Sequence, residues 1–428
     1  MTRVLSGDFR RGRISLFALL LALAPATARC EEQAAPQPSR PNATQADAHA
    51  GHSGKKAHGD ISVDVIEQDG KLHLLLGRND GVQKLYYKSS ADGGETWSAE
   101  SEIPVPAEAG AQIQRGADAR IARVGNTLLV MWMSHADSAP YGAGPMVVMR
   151  STDQGKTWTR GTSAADWLTG AHGYFSLATA GRNLHATWLD SRDGPSGVPG
   201  SQGLRHAVSA DAGASWSKNT TLDNASCACC WTTSRADRRG NLYVLYRDKQ
   251  PSDMAIGLID AKSGKWARLS TVGQFEWDFA GCPHIGGGLA LRENSGSTEL
   301  HALIGTRKKG DAGVYYLSSA DGGRAWSAPY RLGDESATHG DIAARSDGSL
   351  AAVWDMVDPE LNDGTGAIYS AIYRPSPKSG WESPTRLSTK GASASHPVVV
   401  ATKNGYLAVW TETGPAGLQQ MVTKRLAP

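Results

Sequence analysis

The sequence predicts an all-β fold, a β-propeller of seven four-stranded blades, and two observations carry this prediction. First, a polar residue opens a strand-like segment at successive steps of 57, 57, 57, 55, 55 and 57 residues. These residues are His58, Arg115, His172, Cys229, His284, His339 and His396. Second, the segments between them are short apolar runs without helical periodicity. A repeat of this length is typical of propellers and other repeat architectures. If the repeats close into a ring, the seven side chains converge on its axis.

Each repeat has the same internal order, which justifies four strands per unit. An apolar run such as 61–66 follows the first polar residue, and a Gly or Asn turn such as 69–70 ends it. A second run carries an aromatic residue such as Trp132, and a third run such as 85–88 alternates in polarity. Turn dipeptides between β-branched and aromatic runs are typical of β-hairpins.

The third and fourth runs are joined by a turn of the pattern S-x-D-x-G-x-[TSA]-W. It occurs at Ser90–Trp97, Ser151–Trp158, Ser209–Trp216 and Ser319–Trp326, with shortened versions at 263–266 and 379–381. The Asp carboxylate is expected to accept hydrogen bonds from backbone N–H groups two or three residues later, and the Gly permits a positive φ. The Trp is expected to pack its ring against the sheet.

These four turns resemble the Asp-box, or BNR repeat, of the sialidase superfamily, and the resemblance covers nearly all of the chain after residue 58. It implies a propeller in which the four Asp-box carboxylates are structural and lie on the face away from the active site. These residues are Asp92, Asp153, Asp211 and Asp321. Well-known sialidases have six blades, so a six-bladed propeller is the alternative to seven.

The ends of the chain predict export and one folded domain. Residues 1–29 are interpreted as a signal peptide because a basic start precedes an apolar core at 14–24 that is too short to span a bilayer. Residues 30–57 are interpreted as a disordered linker, and residues 58–428 as a single propeller without a transmembrane helix. The seventh unit lacks a clear fourth strand, which a strand near the mature N-terminus is expected to supply. We expect a periplasmic or secreted protein, with lipid anchoring at Cys30 as an alternative.

The composition limits the classes of molecule that the protein is expected to bind. The net charge is +2 and no basic stripe is visible, which argues against nucleic acid. We expect a metal ion or small ligand in the axial funnel of the propeller, with a glycan or a protein as the other possible partners.

The cysteines of the fourth and fifth units predict a metal site. Cys227, Cys229 and Cys230 precede one strand, and Cys282 with His284 precede the corresponding strand of the next unit. Adjacent blades bring these positions together, and thiolates with imidazoles favour copper, with zinc as the other metal. His172 and His339 lie in the flanking units and are the further candidate ligands. Disulfides remain open as an alternative, because exported proteins form them readily, and so do unpaired thiols.

Glycan hydrolysis or glycan binding is the main alternative function. The arginine motif F/Y-R-I-P of sialidases is absent, so typical sialidase activity is not expected. Arg78, Arg192 and Arg307 are candidates for a substitute arginine clamp, and Asp60 and Asp341 for acids. A third alternative is a protein-interaction scaffold without catalysis.

Overall fold

The computed structural model describes residues 57–137, 142–193, 198–294, 296–361, 363–375, 380–414 and 417–428. Within these residues the chain is all-β and contains no α-helix, as the sequence predicts. The predicted signal peptide and, except for residue 57, the predicted linker lie outside the described residues. In the part of the chain that the structure describes, no helix is long and apolar enough to span a membrane.

The strands follow one another in sets that match the sequence repeats. The first set is β1 (His58–Gln68), β2 (Lys71–Asn79), β3 (Gln83–Ser90) and β4 (Ser101–Ile103). The second is β5 (Arg120–Val124), β6 (Thr127–His135), β7 (Ala143–Ser151) and β8 (Thr159–Arg160). The third is β9 (His172–Ala180), β10 (Asn183–Asp190), β11 (Ser201–Ser209) and β12 (Thr220–Cys227). The fourth is β13 (Thr233–Ala236), β14 (Leu242–Arg247), β15 (Met254–Ile259) and β16 (Trp266–Val272).

The remaining strands form three more sets. The fifth is β17 (Gly287–Asn294), β18 (Ser297–Thr306), β19 (Gly313–Ser319) and β20 (Tyr330–Gly333). The sixth is β21 (Gly340–Ala344), β22 (Leu350–Val357), β23 (Gly366–Arg374), β24 (Gly380–Trp381) and β25 (Thr385–Arg386). The last is β26 (Ser393–Thr402), β27 (Gly405–Thr413) and β28 (Leu418–Leu426).

Each middle set forms its own sheet, whereas the first and last sets share one. The shared sheet has the order β26-β27-β28-β1-β2-β3-β4, because the start of β1 pairs in parallel with β28. His58 lies opposite Leu418, and Gly59 lies opposite Gln419. The first strands β1, β5, β9, β13, β17, β21 and β26 contact one another in that order, and β26 also contacts β1. Several four-stranded sheets arranged in this way are consistent with a propeller.

The core lies between neighbouring sheets. Trp132, Trp188, Trp354 and Trp410 occupy the second strands of their sets and are fully buried. Trp132, for example, packs in one cluster with residues of β2 and β3 in the preceding set. Side chains of a strand alternate between its faces, so each sheet presents one apolar face to each neighbour. The aromatic residue that the sequence pattern identified is therefore the central packing residue of the repeat.

The Asp-box turns have the predicted hydrogen bonds, with a longer reach. Asp92 accepts hydrogen bonds from the backbone N–H and the hydroxyl of Thr96, four residues later. Asp153 accepts from Lys156 and Thr157, three and four residues later, where two or three were expected. Ser90 Oγ adds a bond from the backbone N–H of Gly94 at 2.9 Å. These bonds are consistent with a structural role for the Asp-box carboxylates.

Candidate metal centre

Four cysteines form one cluster between the third and fourth sets of strands. Cys227 is the last residue of β12, and Cys229 and Cys230 lie in the segment that leads to β13. Their sulfur atoms lie within 4.8 Å of one another, with Cys227 Sγ at 3.8 Å from Cys229 Sγ and 2.7 Å from Cys230 Sγ. All three are buried, and the half-buried Cys282 packs against them from the loop before β17. The structure thus brings together the four cysteines that the sequence paired across two units.

The electrostatics of the cluster single out Cys227. Burial raises the pKa of a thiol, but the hydrogen bonds that Cys227 accepts from Cys229, Cys230 and Cys282 lower its pKa well below the ordinary value. Burial raises the pKa of Cys229 and Cys230, and the hydrogen bond to Cys227 adds to it. The hydrogen bond to Cys227 is the largest cause that raises the pKa of Cys282 to about 12. The four thiols therefore titrate together, and loss of one proton makes loss of the next harder.

The histidines predicted to join the cysteines lie in different surroundings. His284, two residues after Cys282, has a left-handed φ of 56° and lies near His396, whose pKa it helps to lower. His172 is fully buried at the start of β9, where its Nδ1 accepts a hydrogen bond from Met146 N at 3.2 Å. Its Nε2 lies 3.6 Å from Asp190 Oδ2, and burial lowers its pKa to about 4. These contacts indicate that His172 connects neighbouring sheets.

His339 belongs to a second group of possible ligand atoms, with Asp355 and His396. His339 Nδ1 lies 2.6 Å from Asp355 Oδ2, and the imidazole rings of His339 and His396 are stacked with centroids 3.7 Å apart. Burial is the largest cause that lowers the pKa of His396 well below its ordinary value, and His339 adds to it. Burial alone would raise the pKa of Asp355, but the two imidazoles and their hydrogen bonds outweigh it and lower that pKa.

A cavity of about 110 Å³ lies beside this histidine pair. His339, His396 and Trp231 line it together with residues of several first strands, including β1, β5, β9, β13, β21 and β26. Three carboxylates and three guanidinium groups also line it, namely Asp64, Asp118, Asp341, Arg115, Arg120 and Arg235. Burial raises the pKa of Asp64 and of Asp341. The cavity is therefore polar and surrounded by first strands, where the sequence predicted an axial funnel.

The candidate hydrolase residues are mostly engaged with other charged groups. Arg78 pairs with Asp60 at 2.9 Å and also with Glu100, and Asp60 accepts a hydrogen bond from Met421 N. Arg192 contacts both Asp190 and Asp166. Arg307 is exposed, and Asp341 lines the cavity while accepting a hydrogen bond from Val399 N at 3.0 Å.

Sequence reasoning missed how His339, Asp355 and His396 meet. The structure stacks the ring of His396 on that of His339 and leaves His58 exposed at the start of β1, although all three are equivalent positions of the repeat. Trp231, whose ring centroid lies 5.6 Å from that of His339 and 5.8 Å from that of His396, was also missed. Its position directly after Cys230 and near the start of a first strand was an available signal.

Comparison with known proteins identifies the repeat and the fold. A family model for the BNR/Asp-box repeat matches residues 149–160, which contain the second Asp-box turn. The chain carries a BNR/Asp-box repeat. This match confirms the Asp-box prediction made from the sequence. A comparison with curated proteins gave no match.

Among solved structures, the fold is similar to that of an ulvan lyase, a polysaccharide lyase whose structure contains bound -[GlcA(1-4)Rha3S]-. The TM-score is 0.57 and the sequence identity is 10%, and the match covers 87% of this chain and 94% of that chain. An α-L-arabinofuranosidase from Fusarium graminearum has a TM-score of 0.51 and 16% identity over 74% of this chain and 93% of that chain. A Hadza microbial sialidase has a TM-score of 0.46 and 14% identity over 80% of this chain and 73% of that chain. At these identities the likeness to the first two is one of fold.

Proposed function

We propose that the protein binds a soft metal ion, reduced copper, through the thiolates of Cys227, Cys229, Cys230 and Cys282. The observation that carries this proposal is the convergence of four cysteines from two repeat units on one buried cluster. Thiolate ligands favour Cu(I), and zinc is the other metal that they accept readily. His284 is the imidazole closest in sequence to these cysteines, but it lies near His396. His172 and His339 also have other partners, so the proposed site needs none of the three histidines.

A disulfide between Cys227 and Cys230 is the competing interpretation. Their sulfur atoms are 2.7 Å apart, closer than two sulfur atoms that are in van der Waals contact. All four cysteines are free in the structure. A disulfide between Cys227 and Cys230 would leave Cys229 and Cys282 as unpaired thiols beside it. Metal binding accounts for all four, because each thiol can lose its proton and bind the ion through its sulfur atom.

We also propose that the seven sets of strands are the blades of a closed propeller and that the protein is exported. The circular order of contacts between first strands and the parallel pair between β1 and β28 support seven blades with closure between the last and first sets. The basic start and apolar core within residues 1–29 support export, which would place the thiol cluster in an oxidising compartment. The bound metal would then protect the thiols from oxidation.

The test is the copper stoichiometry of the full chain after loading with Cu(I) under reducing, anaerobic conditions. We expect one equivalent in the wild type and none at the thiolate site in a Cys229→Ser/Cys282→Ser variant. Ala228→Ser is the matched control, because it alters the same segment without removing a sulfur ligand. Retention of the full copper content by the double variant would overturn the proposal. So would mass mapping of disulfides among these cysteines in protein isolated from its native compartment.

A glycan site is the second candidate function, favoured by the fold shared with the ulvan lyase and the arabinofuranosidase. Asp341 is its best candidate acid, because it lines the cavity and burial raises its pKa. Cleavage of a uronate-containing or arabinose-containing glycan that is lost in Asp341→Asn and kept in Asp92→Asn would support this candidate. Absence of cleavage and of binding for both glycan classes would remove it.

A further inference from the structure

We propose that His339 and His396 form a second metal site, separate from the cysteines, for a borderline divalent ion such as Zn²⁺ or Cu²⁺. Imidazole nitrogen atoms suit these ions, whereas thiolates suit Cu(I). Both histidines line the cavity of about 110 Å³, and their possible ligand atoms lie within 4.8 Å of each other. The proposal goes beyond the copper function, because it assigns a different site and a different class of ion.

Asp355 orients His339 and is not itself a metal ligand. Its Oδ2 contacts His339 Nδ1 at 2.6 Å and accepts from His396 N at 2.8 Å. Its Oδ1 accepts from Thr338 Oγ1 at 2.7 Å and from His339 N at 3.0 Å. Four hydrogen bonds occupy the two oxygen atoms, so the carboxylate has little capacity left for an ion. A carboxylate that holds one ring nitrogen and leaves Nε2 for the metal is a common arrangement in metal sites.

His396 is held by its backbone and turned by an irregularity of the strand. Its φ is 51°, an uncommon conformation for a residue with a side chain, and the pairing of β26 with β27 shifts between Ser395 and Val398. Arg115 donates a hydrogen bond to the His396 carbonyl, and His396 Nδ1 lies 3.1 Å from Ser395 Oγ. As in His339, Nε2 is the ring nitrogen that is left to bind a metal. It faces Gly116, since a Cβ added to Gly116 would lie 3.1 Å from it.

The stacking of the two rings sets a condition on metal binding. The planes differ by 16°, whereas the lone pair of an imidazole nitrogen lies in the plane of its ring. One ion therefore binds both nitrogen atoms only if a ring turns. We expect His396 to be the ring that turns, because its side-chain hydrogen bond is to a serine hydroxyl, whereas the ring of His339 is bonded to the carboxylate of Asp355.

The charged groups that line the cavity are balanced in number. Three carboxylates and three guanidinium groups line it, and the carboxylate of Asp355 lies behind His339. The attraction for an ion therefore comes from the two imidazoles as nitrogen ligands, with water as the remaining ligands.

Trp231 separates this site from the cysteines. It follows Cys230 in the chain, and its ring lies against both imidazoles. Trp231 thus lies between two sites that use different ligands, so each site can be removed without changing the ligands of the other.

Titration of the full chain with Co²⁺ alone distinguishes the two sites, because thiolate ligation gives an intense charge-transfer band that imidazole ligation lacks. We expect the wild type to bind two equivalents and His339→Ala/His396→Ala to bind one with the thiolate band intact. We expect Cys229→Ser/Cys282→Ser to keep one equivalent without that band. His58→Ala, which changes an exposed histidine at the equivalent position of the first repeat, is the matched control and should bind two.

The milder variant Asp355→Asn keeps the shape of the side chain and guards against misfolding of the double variant. It should weaken only the binding that lacks the thiolate band, by about 10- to 100-fold. If the wild type binds Co²⁺ only with the thiolate band, or if the histidine variants bind as much as the wild type, this proposal is overturned while the thiolate site stands. If the thiolate band never appears but histidine-dependent binding does, this proposal stands, and the Cu(I) stoichiometry alone decides the thiolate site.

Discussion

The cysteine cluster and the histidine pair occupy corresponding places in the repeat, yet the surroundings of the two sites differ. Cys229, His339 and His396 are all residues that open a repeat unit. The three sulfur atoms of Cys227, Cys229 and Cys230 are buried against one another, whereas the two imidazoles line a polar cavity. One carboxylate, that of Asp355, bonds the ring of His339 and accepts from the backbone N–H of His396. The repeat thus determines where a side chain lies, and the neighbouring loop residues determine which chemistry is available there.

The largest expected effect is stabilisation of the protein by metal at the cysteines. An ion that binds only the folded state at a free concentration 1,000 times its dissociation constant raises the free energy of unfolding by about 4 kcal/mol. The rise should be visible as a higher Tm for Cu(I)-loaded protein, and it should vanish in Cys229→Ser/Cys282→Ser. An equal rise of Tm in that variant would show that the stabilising ion binds away from the cysteines, and the proposed difference between the two sites would be wrong.

Asp355→Ala should destabilise the metal-free protein by about 3 kcal/mol, because it leaves several buried donors without an acceptor. Cys230→Ala should cost less, since it removes one small apolar group from a cluster of thiols. Urea unfolding of both metal-free variants measures the difference. A larger loss of unfolding free energy in Cys230→Ala than in Asp355→Ala would show that the cysteine cluster contributes more to the stability of the metal-free protein than the hydrogen bonds of Asp355 do.

A second histidine pair, outside the lining of that cavity, offers a comparison. His185 Nδ1 lies 3.0 Å from His206 Nε2 between β10 and β11, and burial lowers their pKa values to about 4 and about 3. The unfolded chain binds protons near pH 6.5 and the folded pair does not, so stability is complete above that pH and falls as the pH drops towards 4. The loss is about 1.4 kcal/mol per pH unit for each histidine. Urea unfolding between pH 7 and pH 5 should show at least this slope in the wild type, because other buried histidines such as His172 add to it. The variant His185→Gln/His206→Gln should reduce the slope by the share of the pair, and an unchanged slope would refute the assignment.

The smallest expected signal is hydrolysis of sialosides, because we expect the purified protein to release no sialic acid from them. Arg78 and Arg192 are each paired with two carboxylates, which leaves them poorly disposed to clamp a substrate carboxylate. Incubation of purified protein with a fluorogenic sialoside measures this directly. Release of the fluorophore that is lost in Arg192→Ala or Arg307→Ala would contradict the expectation.

The sequence predicted the strands and the cysteine cluster because both depend on spacing. Regular turns and alternating runs identify strands locally, and residues one repeat apart lie in neighbouring units, as Cys229 and Cys282 do. The stacking of His339 on His396 depends instead on a strand irregularity and on a left-handed backbone at His396, neither of which a sequence pattern reveals. His172 shows the same limit, since its hydrogen bond with Met146 N of the preceding set of strands follows from packing between sheets.

The proposed function depends above all on sulfur ligation of copper by Cys227, Cys229, Cys230 and Cys282. X-ray absorption at the copper edge of Cu(I)-loaded full-length protein measures the ligand atoms directly. We predict a first shell dominated by sulfur that disappears in Cys229→Ser/Cys282→Ser and persists in His339→Ala/His396→Ala. A first shell of nitrogen and oxygen atoms in the wild-type protein would contradict the account.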